Sequence, residues 1–317
     1  GAPRLISPAT GTSDAKFSTN YKFYFITNSK IDQPHTVTLH IWSGKQVRVI
    51  KDNKKVAETM SGYKLSKPEF FNFTTSEGIS LNGWMIKPTD FNPSKKYPVF
   101  QYMYGGPNSQ TVKNEWLGPN FFWFQMLAQN GYIIVSVDNR GTGARGEAFN
   151  KCIYKQLGKL ETIDQIEVAK WMGKQTYVDA SRIGAFGWSY GGYMTSLLMT
   201  KGADYFKAAI AVAPVTNWRY YDTIYTERYL QTPQMNAAGY DENSPINFTD
   251  KLKGNYLLVH GTTDDNVHMQ NSMEMVTALV KEKKQFDSFY YPNKAHGISG
   301  VRLHLYQKMT NFILEKL

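Results

Sequence analysis

Cysteine is almost missing from this chain. Cys152 is the single thiol among 317 residues, so no internal disulfide can form. In its Lys-rich stretch, without a flanking motif, it reads as a structural or inert group. The longest apolar runs are strand-sized, which leaves nothing to span a membrane as a helix. Low-complexity tracts are absent, as are repeats beyond one short β meander. The opening Gly1-Ala-Pro-Arg has no initiator Met, no basic n-region and no apolar h-region. It reads as a cut or engineered beginning and not as a secretory signal. Acidic residues are also in deficit, with 26 Asp and Glu against 36 Lys and Arg, a net charge of +10. That excess invites a nucleic-acid reading. The lysines, however, are scattered as pairs (Lys54-Lys55, Lys95-Lys96, Lys283-Lys284) with no nucleic-acid-binding signature, so a solvated surface is the better account.

What is present is a substantial apolar fraction, 42%, enough for one large domain or two smaller ones. Residues 20–52 alternate in three short β-like segments, Lys22–Thr27, Thr36–Trp42 and Gln46–Ile50, separated by turn residues. Three strands of this kind cannot cover both of their faces. A connector over 53–68 leads to an antiparallel pair, Phe70–Thr75 and Ile79–Lys87. Near-continuous apolar strands then alternate with helices: strands at Val99–Tyr104, Ile133–Asp138, Ile183–Trp188, Ala208–Val212, Tyr256–His260 and Ser288–Tyr291, and helices at Glu161–Lys174, Tyr190–Lys201, Met269–Lys283 and Val301–Glu315. This pattern predicts a mostly parallel sheet covered on both faces. The expected division is a β meander plus linker over 1–65 and an α/β domain over 66–317.

The most informative segment is Gly187-Trp-Ser-Tyr-Gly-Gly. Its G-x-S-x-G pattern lies between an apolar strand and a helix-like run. A chain turning that sharply needs glycine where backbones approach closely. The turn lifts the Ser189 hydroxyl clear of the sheet at the positive end of the next helix. This is the nucleophile elbow of an α/β-hydrolase. A serine needs a base, and the base an orienting carboxylate. In this fold they follow in the order Ser, acid, His. Four histidines lie downstream: His260, His268, His296 and His304. His260 precedes a glycine at a strand end and reads as a buried structural group. His268 is too close to the acid, and His304 falls inside the last helix. His296, between a strand and the terminal helix, is the candidate base. Asp264 and Asp265 both follow the strand Tyr256–His260, and the residues alone leave that choice open.

Six blocks occur in order: Tyr104-Gly-Gly-Pro, Asp138-Asn-Arg-Gly-Thr-Gly, Gly187-Trp-Ser-Tyr-Gly-Gly-Tyr, Trp218-Arg-Tyr-Tyr-Asp-Thr-Ile-Tyr-Thr-Glu-Arg-Tyr, His260-Gly-Thr-Thr-Asp-Asp-Asn-Val-His and His296-Gly-Ile. Together, over about residues 66–317, they resemble the catalytic domain of the prolyl oligopeptidase family, and within it the dipeptidyl peptidase IV branch. The resemblance selects Asp264 as the acid. It implies an oxyanion hole formed by the Tyr190 backbone N–H and the Tyr104 hydroxyl. It also implies an acyl-side pocket of Tyr190, Val215, Trp218, Tyr221, Tyr225 and Val267, with Asn266 donating to a substrate carbonyl. Tyr221 and Tyr225 stand at i, i+4, which predicts both rings on one helical face. The implied reaction is cleavage after proline or alanine through an acyl-enzyme, in a dipeptidyl aminopeptidase when full-length, with no cofactor and no metal. The implied partners are peptide substrates and an N-terminal propeller of which the meander would be the last blade, and a homodimer is admitted. Nucleic acid is not among them. By resemblance the setting is exported, periplasmic or at the cell envelope.

The chain departs from the family in one respect. Dipeptidyl peptidases anchor the substrate amine on paired glutamates of the propeller, and only Glu58 precedes position 66 here. Two other readings therefore stay open. One is a broader oligopeptidase or acylaminoacyl peptidase of the same family. The other is a binding domain that kept the fold, against which the full set of Ser189, Asp264, His296 and Tyr104 argues.

Overall fold

A computed structural model describes residues 4–317. The chain divides into two compact units. One takes the residues up to Glu69 together with Ile86–Asp90 and Lys113–Asn130, and the other takes the remainder.

The first unit carries an antiparallel sheet of β1 (Thr12–Phe17), β2 (Phe23–Lys30), β3 (Gln33–Ile41) and β4 (Gln46–Lys51), in that spatial order. Four strands stand where the sequence pattern predicts three. β1, Thr12-Ser-Asp-Ala-Lys-Phe, has no apolar alternation, and it is recruited by pairing with β2 from Thr12↔Ser29 to Phe17↔Tyr24. Along β2, Tyr24 and Ile26 are buried while Phe23 and Phe25 are exposed. Aromatic side chains thus occupy both faces of the strand. The predicted connector contains α1 (Lys54–Ser61). The segment around 114 is tied to the sheet: the Asn114 side chain accepts from the Ile31 backbone N–H and its carbonyl from the Thr12 hydroxyl.

The remaining elements in chain order are β5 (Glu69–Thr74), β6 (Ser80–Ile86), β7 (Tyr97–Tyr102), α2 (Pro119–Gln129), β8 (Ile133–Asp138), α3 (Glu147–Lys151), α4 (Lys159–Gly173), β9 (Val178–Trp188), α5 (Tyr190–Thr200), β10 (Ala208–Val212), α6 (Thr223–Leu230), α7 (Ala237–Asp241), β11 (Asn255–Gly261), α8 (Gln270–Lys281), β12 (Asp287–Tyr291) and α9 (Arg302–Lys316). The strands form one sheet in the order β12-β11-β10-β9-β7-β8-β6-β5. The six from β7 onward pair in parallel. Residues of β7, β8, β10 and β11 and the carboxyl half of β9 are buried almost throughout, as expected for strands covered on both faces, while the edge strand β12 is largely uncovered. Helix α5 packs on β9 and β10, α4 on β9 and α5, and α9 on β10. No helix among the described residues is long and apolar enough to cross a membrane.

Two features of this topology fix where chemistry can occur. The chain places β8 on one side of β7 and β9 on the other, so the strand order reverses direction at β7. A crevice opens at such a point beyond the carboxyl ends of the strands. Moreover, Tyr104 follows β7, Ser189 follows β9, Val215 follows β10, Asp264 follows β11 and His296 follows β12, so parallel pairing delivers all five to the same edge. At the elbow a Cβ on Gly187 would stand 2.2 Å from the Gly191 carbonyl oxygen, and one on Gly191 would stand 2.3 Å from that of Met103. Close approach, not left-handed backbone, is what requires glycine here. Gly191→Ala should therefore lower the midpoint of thermal unfolding clearly more than Gly78→Ala. Gly78 has φ +77 but open space around its missing Cβ, so its cost is confined to about 1–2 kcal/mol of backbone strain, whereas Gly191→Ala must also displace the end of β7. Equal shifts in the two variants, measured by calorimetry, would show that the elbow relaxes freely.

Candidate active site

Ser189 sits between β9 and α5 at φ 60°, ψ −117°, a conformation that a non-glycine residue holds only when its surroundings impose it. They do so from both sides. Its N–H donates to the Val212 carbonyl (2.8 Å), and its carbonyl accepts from Tyr193 N–H (3.0 Å) as the first bond of α5. The Tyr190 N–H lies in the opening turn of that helix, where backbone donors have no intrahelical partner and the helix end is positive.

His296 and Asp264 meet across 32 residues of chain. The Nδ1 of His296 is 2.7 Å from Asp264 Oδ2. Its carbonyl accepts from the Trp188 indole N–H (3.0 Å), which ties the loop carrying His296 to the residue preceding Ser189. The other Asp264 oxygen, Oδ1, accepts from the backbone N–H groups of Asn266 (3.0 Å) and Val267 (2.9 Å). Burial alone would raise the Asp264 pKa. Hydrogen bonds from His260 and His296, the His296 charge and the Asn266 N–H outweigh it and hold the carboxyl well below the usual carboxylate range. Asp264 is buried and Asp265 is exposed. His268 and His304 are exposed as well, the latter with Nδ1 at 2.8 Å from the Tyr291 hydroxyl.

Tyr104 lies just past β7, in a loop propped from below. Asn139 Nδ2 donates to the Gly105 carbonyl (3.0 Å), and Asn139 Oδ1 in turn accepts from Gln165 Nε2 (2.9 Å). The Tyr104 pKa is raised, first by burial and further by Tyr229, against the lowering effect of a side-chain hydrogen bond with Ser189. A phenol so placed keeps its proton and remains a donor.

The aromatic residues gather around Trp218, which is buried. Tyr225 stacks against it (5.8 Å, 22°), while Tyr221 and Tyr193 meet it edge-on. Tyr190 lies 5.4 Å from the indole and 6.0 Å from Tyr104. Val215 and Val267 are buried. Here the structure corrects the helical-face expectation. Tyr221 is in extended backbone (φ −116°, ψ 162°), because Asp222 caps α6 by accepting from the Tyr225 N–H and so starts the helix after Tyr221. The two rings still touch, perpendicular at 5.3 Å, but through the turn and not through helical spacing. The Tyr221 hydroxyl donates to Asn266 Oδ1 (2.8 Å). That leaves the Asn266 amide nitrogen as the donor.

Two further residues stand behind this site, and the first of them, Glu161, lies in no motif block. Glu161, fully buried in the first turn of α4, accepts from the Tyr190 hydroxyl (2.8 Å). Desolvation raises its pKa to about 7, against the backbone N–H groups of Gly158 and Glu161 and the Tyr190 hydroxyl, which pull it down. Burial of Tyr190 and the neighbouring Glu161 keep that phenol protonated. The second residue, His260, touches Asp264 from behind. Among the described residues no group of three or more His, Cys, Asp or Glu side chains is disposed to hold a metal ion.

The fold and this constellation define an α/β-hydrolase with a serine at its elbow. The prolyl oligopeptidase family profile matches residues 119–317. A "Probable dipeptidyl peptidase 4" of Aspergillus flavus is 37% identical over 311 residues, covering 95% of this chain and 40% of that protein. A "Probable dipeptidyl-aminopeptidase B" of Paracoccidioides brasiliensis is 42% identical over 272 residues, 84% of this chain and 29% of the other. The crystal structure of Porphyromonas gingivalis dipeptidyl peptidase 4 superposes with a TM-score of 0.95 at 44% identity, over 98% of this chain and 44% of that one. The chain belongs to the prolyl oligopeptidase family of serine peptidases. It spans less than half the length of these relatives.

The raised pKa of Glu161 gives a pH signature with a definite sign. Between an ordinary glutamate value near 4.5 and the folded value of about 7, the folded chain retains a proton that the unfolded chain has released. Glu161 therefore withdraws stability as pH rises through that window. Glu161→Gln cannot ionise, so its melting temperature relative to the parent should climb from pH 4.5 to 7.5. Parallel curves for the two proteins would show that Glu161 is charged in the fold.

Proposed function

We propose that this chain is the hydrolase domain of a dipeptidyl peptidase and cleaves after proline or alanine. Ser189 is the nucleophile, His296 the general base and Asp264 the residue that orients it. The observation that carries this reading is the 2.7 Å contact between His296 Nδ1 and the buried Asp264 Oδ2. It fixes the tautomer and leaves Nε2 to take the Ser189 proton. As Ser189 Oγ adds to the scissile carbonyl, His296 accepts that proton, and it then returns it to the leaving amine. Water deacylates the enzyme by the same route. The developing oxyanion is met by the Tyr190 N–H and the Tyr104 hydroxyl. Two donors aimed at charge that appears only in the transition state are worth more there than in water.

The pocket reading rests on the packed rings of Tyr190, Trp218, Tyr221 and Tyr225 with Val215 and Val267. These walls are flat and apolar, suited to a pyrrolidine ring, and the Asn266 amide nitrogen is available to the preceding carbonyl. The dipeptidyl register is supported by the relatives' names and not by an anchor in this chain. The β1–β4 sheet is read as the remnant of a propeller blade, with the remaining propeller and the peptide as partners of the longer protein.

A fluorophosphonate should label the protein once per chain, at Ser189, with labelling lost in Ser189→Ala. The parent's residual turnover should favour a Gly-Pro anilide over a Gly-Leu anilide. Labelling that survives the substitution would sink the nucleophile assignment, and an inverted preference would sink the pocket. Tyr104→Phe keeps the ring and removes only the hydroxyl, and loss of one such donor typically costs about 10²–10³ in rate. We expect kcat on the Gly-Pro anilide to fall by that order with KM nearly unchanged. Activity within twofold of the parent would place the second oxyanion donor elsewhere.

A further inference from the structure

His260, at the end of β11, is completely buried, and each of its ring nitrogens has a defined partner. Nε2 lies 2.8 Å from the Val267 carbonyl oxygen and 3.2 Å from Asp264 Oδ2. Both of those atoms are acceptors, so Nε2 carries a proton. Nδ1 lies 2.6 Å from the Ser272 hydroxyl, which can donate to it, and this leaves the ring satisfied at both nitrogens. Ser272, itself fully buried on α8, therefore sets the tautomer that directs a proton at the carboxylate. Asp264 Oδ2 stands between two histidines, His296 at 2.7 Å on the cleft side and His260 at 3.2 Å on the core side. Val267 closes a ring. Its N–H donates to Asp264 Oδ1 while its carbonyl accepts from His260. The imidazole thus clamps the 264–267 turn at both ends, and that turn also carries Asn266 and Val267 of the candidate pocket.

We infer that His260 is a positioning residue for the Asp264–His296 pair: it holds the carboxylate oxygen in line with His296 Nδ1 and fixes the pocket turn through the Val267 carbonyl. This inference rests on the triad reading above. Partners behind metal-ligating residues account for about tenfold to a hundredfold of function, and we take the same order for a group behind this carboxylate.

The test is the second-order rate of Ser189 labelling by a fluorophosphonate, with folding checked by near-UV circular dichroism. His260→Leu should slow labelling by about tenfold to a hundredfold. His260→Gln, whose amide N–H reaches the place of Nε2, should restore the rate to within about fivefold of the parent. Ser272→Ala leaves the ring in place but frees Nδ1. It should slow labelling and shift the low-field proton resonance of the His296 Nδ1–H, and it serves as the test if the leucine variant does not fold. In an Asp264→Asn background, His260→Leu should add less than about a twofold further loss, because the two act as one unit. Parent-like labelling in His260→Leu, failure of the glutamine to rescue, an unmoved resonance in Ser272→Ala, or losses that multiply in the double variant would each overturn the role of His260. Unchanged labelling in Asp264→Asn alone would instead overturn the triad reading, and this inference with it.

Discussion

The site depends on how closely two backbones approach at the elbow. The Met103 carbonyl at the end of β7 occupies the space that a side chain on residue 191 would need, and the Gly191 carbonyl occupies that of residue 187. With that approach, β9 can pass into α5 in a single residue. Ser189 is then forced to positive φ between bonds to Val212 and Tyr193. The same approach brings Tyr104, on the residue after Met103, against the ring of Tyr190. The proposed nucleophile and the two proposed oxyanion donors are thereby positioned by one packing constraint instead of by three separate ones. Strain at Ser189 is sustained because the sheet on one side and the helix on the other leave it no lower-energy alternative.

Two buried carboxyls near this centre are driven in opposite directions by their surroundings. Asp264 receives backbone N–H bonds on one oxygen and two histidines on the other, so burial does not neutralise it. Glu161 has the Tyr190 hydroxyl and the start of α4, with no cation among the causes of its shift, and desolvation prevails. Asp264 thus keeps its charge beside His296, while the pKa of Glu161, next to the aromatic cluster around Trp218, is pushed up to about 7. An ionised group there would draw water into the apolar surroundings. The environment, and not the residue type, divides the labour.

The elbow was legible because its requirement is local: close backbone approach tolerates only glycine, and the pattern of strand, turn and helix is written in consecutive residues. The parallel sheet was legible for a similar reason, since strands buried on both faces must be apolar throughout. Strand β1 was not, because a polar strand earns its place through hydrogen bonds to β2 and leaves no hydrophobic period. Nor was α2, whose run Phe121-Phe-Trp-Phe is apolar on every side and has no face to detect. The pairing of Tyr221 with Tyr225 was expected through helical spacing, but it arises from a turn capped by Asp222. Glu161 carries no motif, and His260, though it opens one of the six blocks, reads from sequence only as a buried group, because the significance of both lies in what they touch.

The sequence by itself determined the fold class and the position of the strand-turn-helix elbow that carries Ser189, since both follow from short-range backbone geometry or from the periodicity of burial. The tertiary structure supplies a physical difference between neighbours of identical chemistry, which the residues alone left open and only the family resemblance separated. Asp264 and Asp265 are the same residue type at the same strand end. One is turned inward to four donors and the other outward to solvent, a difference set by the β11 turn closing over His260. His260 and His296 also differ in surroundings, as the sequence reading of His260 as a buried group anticipates: β11 and β12 deliver them to opposite sides of one carboxylate, His260 in the core and His296 partly exposed. The contacts that set these surroundings join separate elements of the sheet, and no local pattern encodes their geometry.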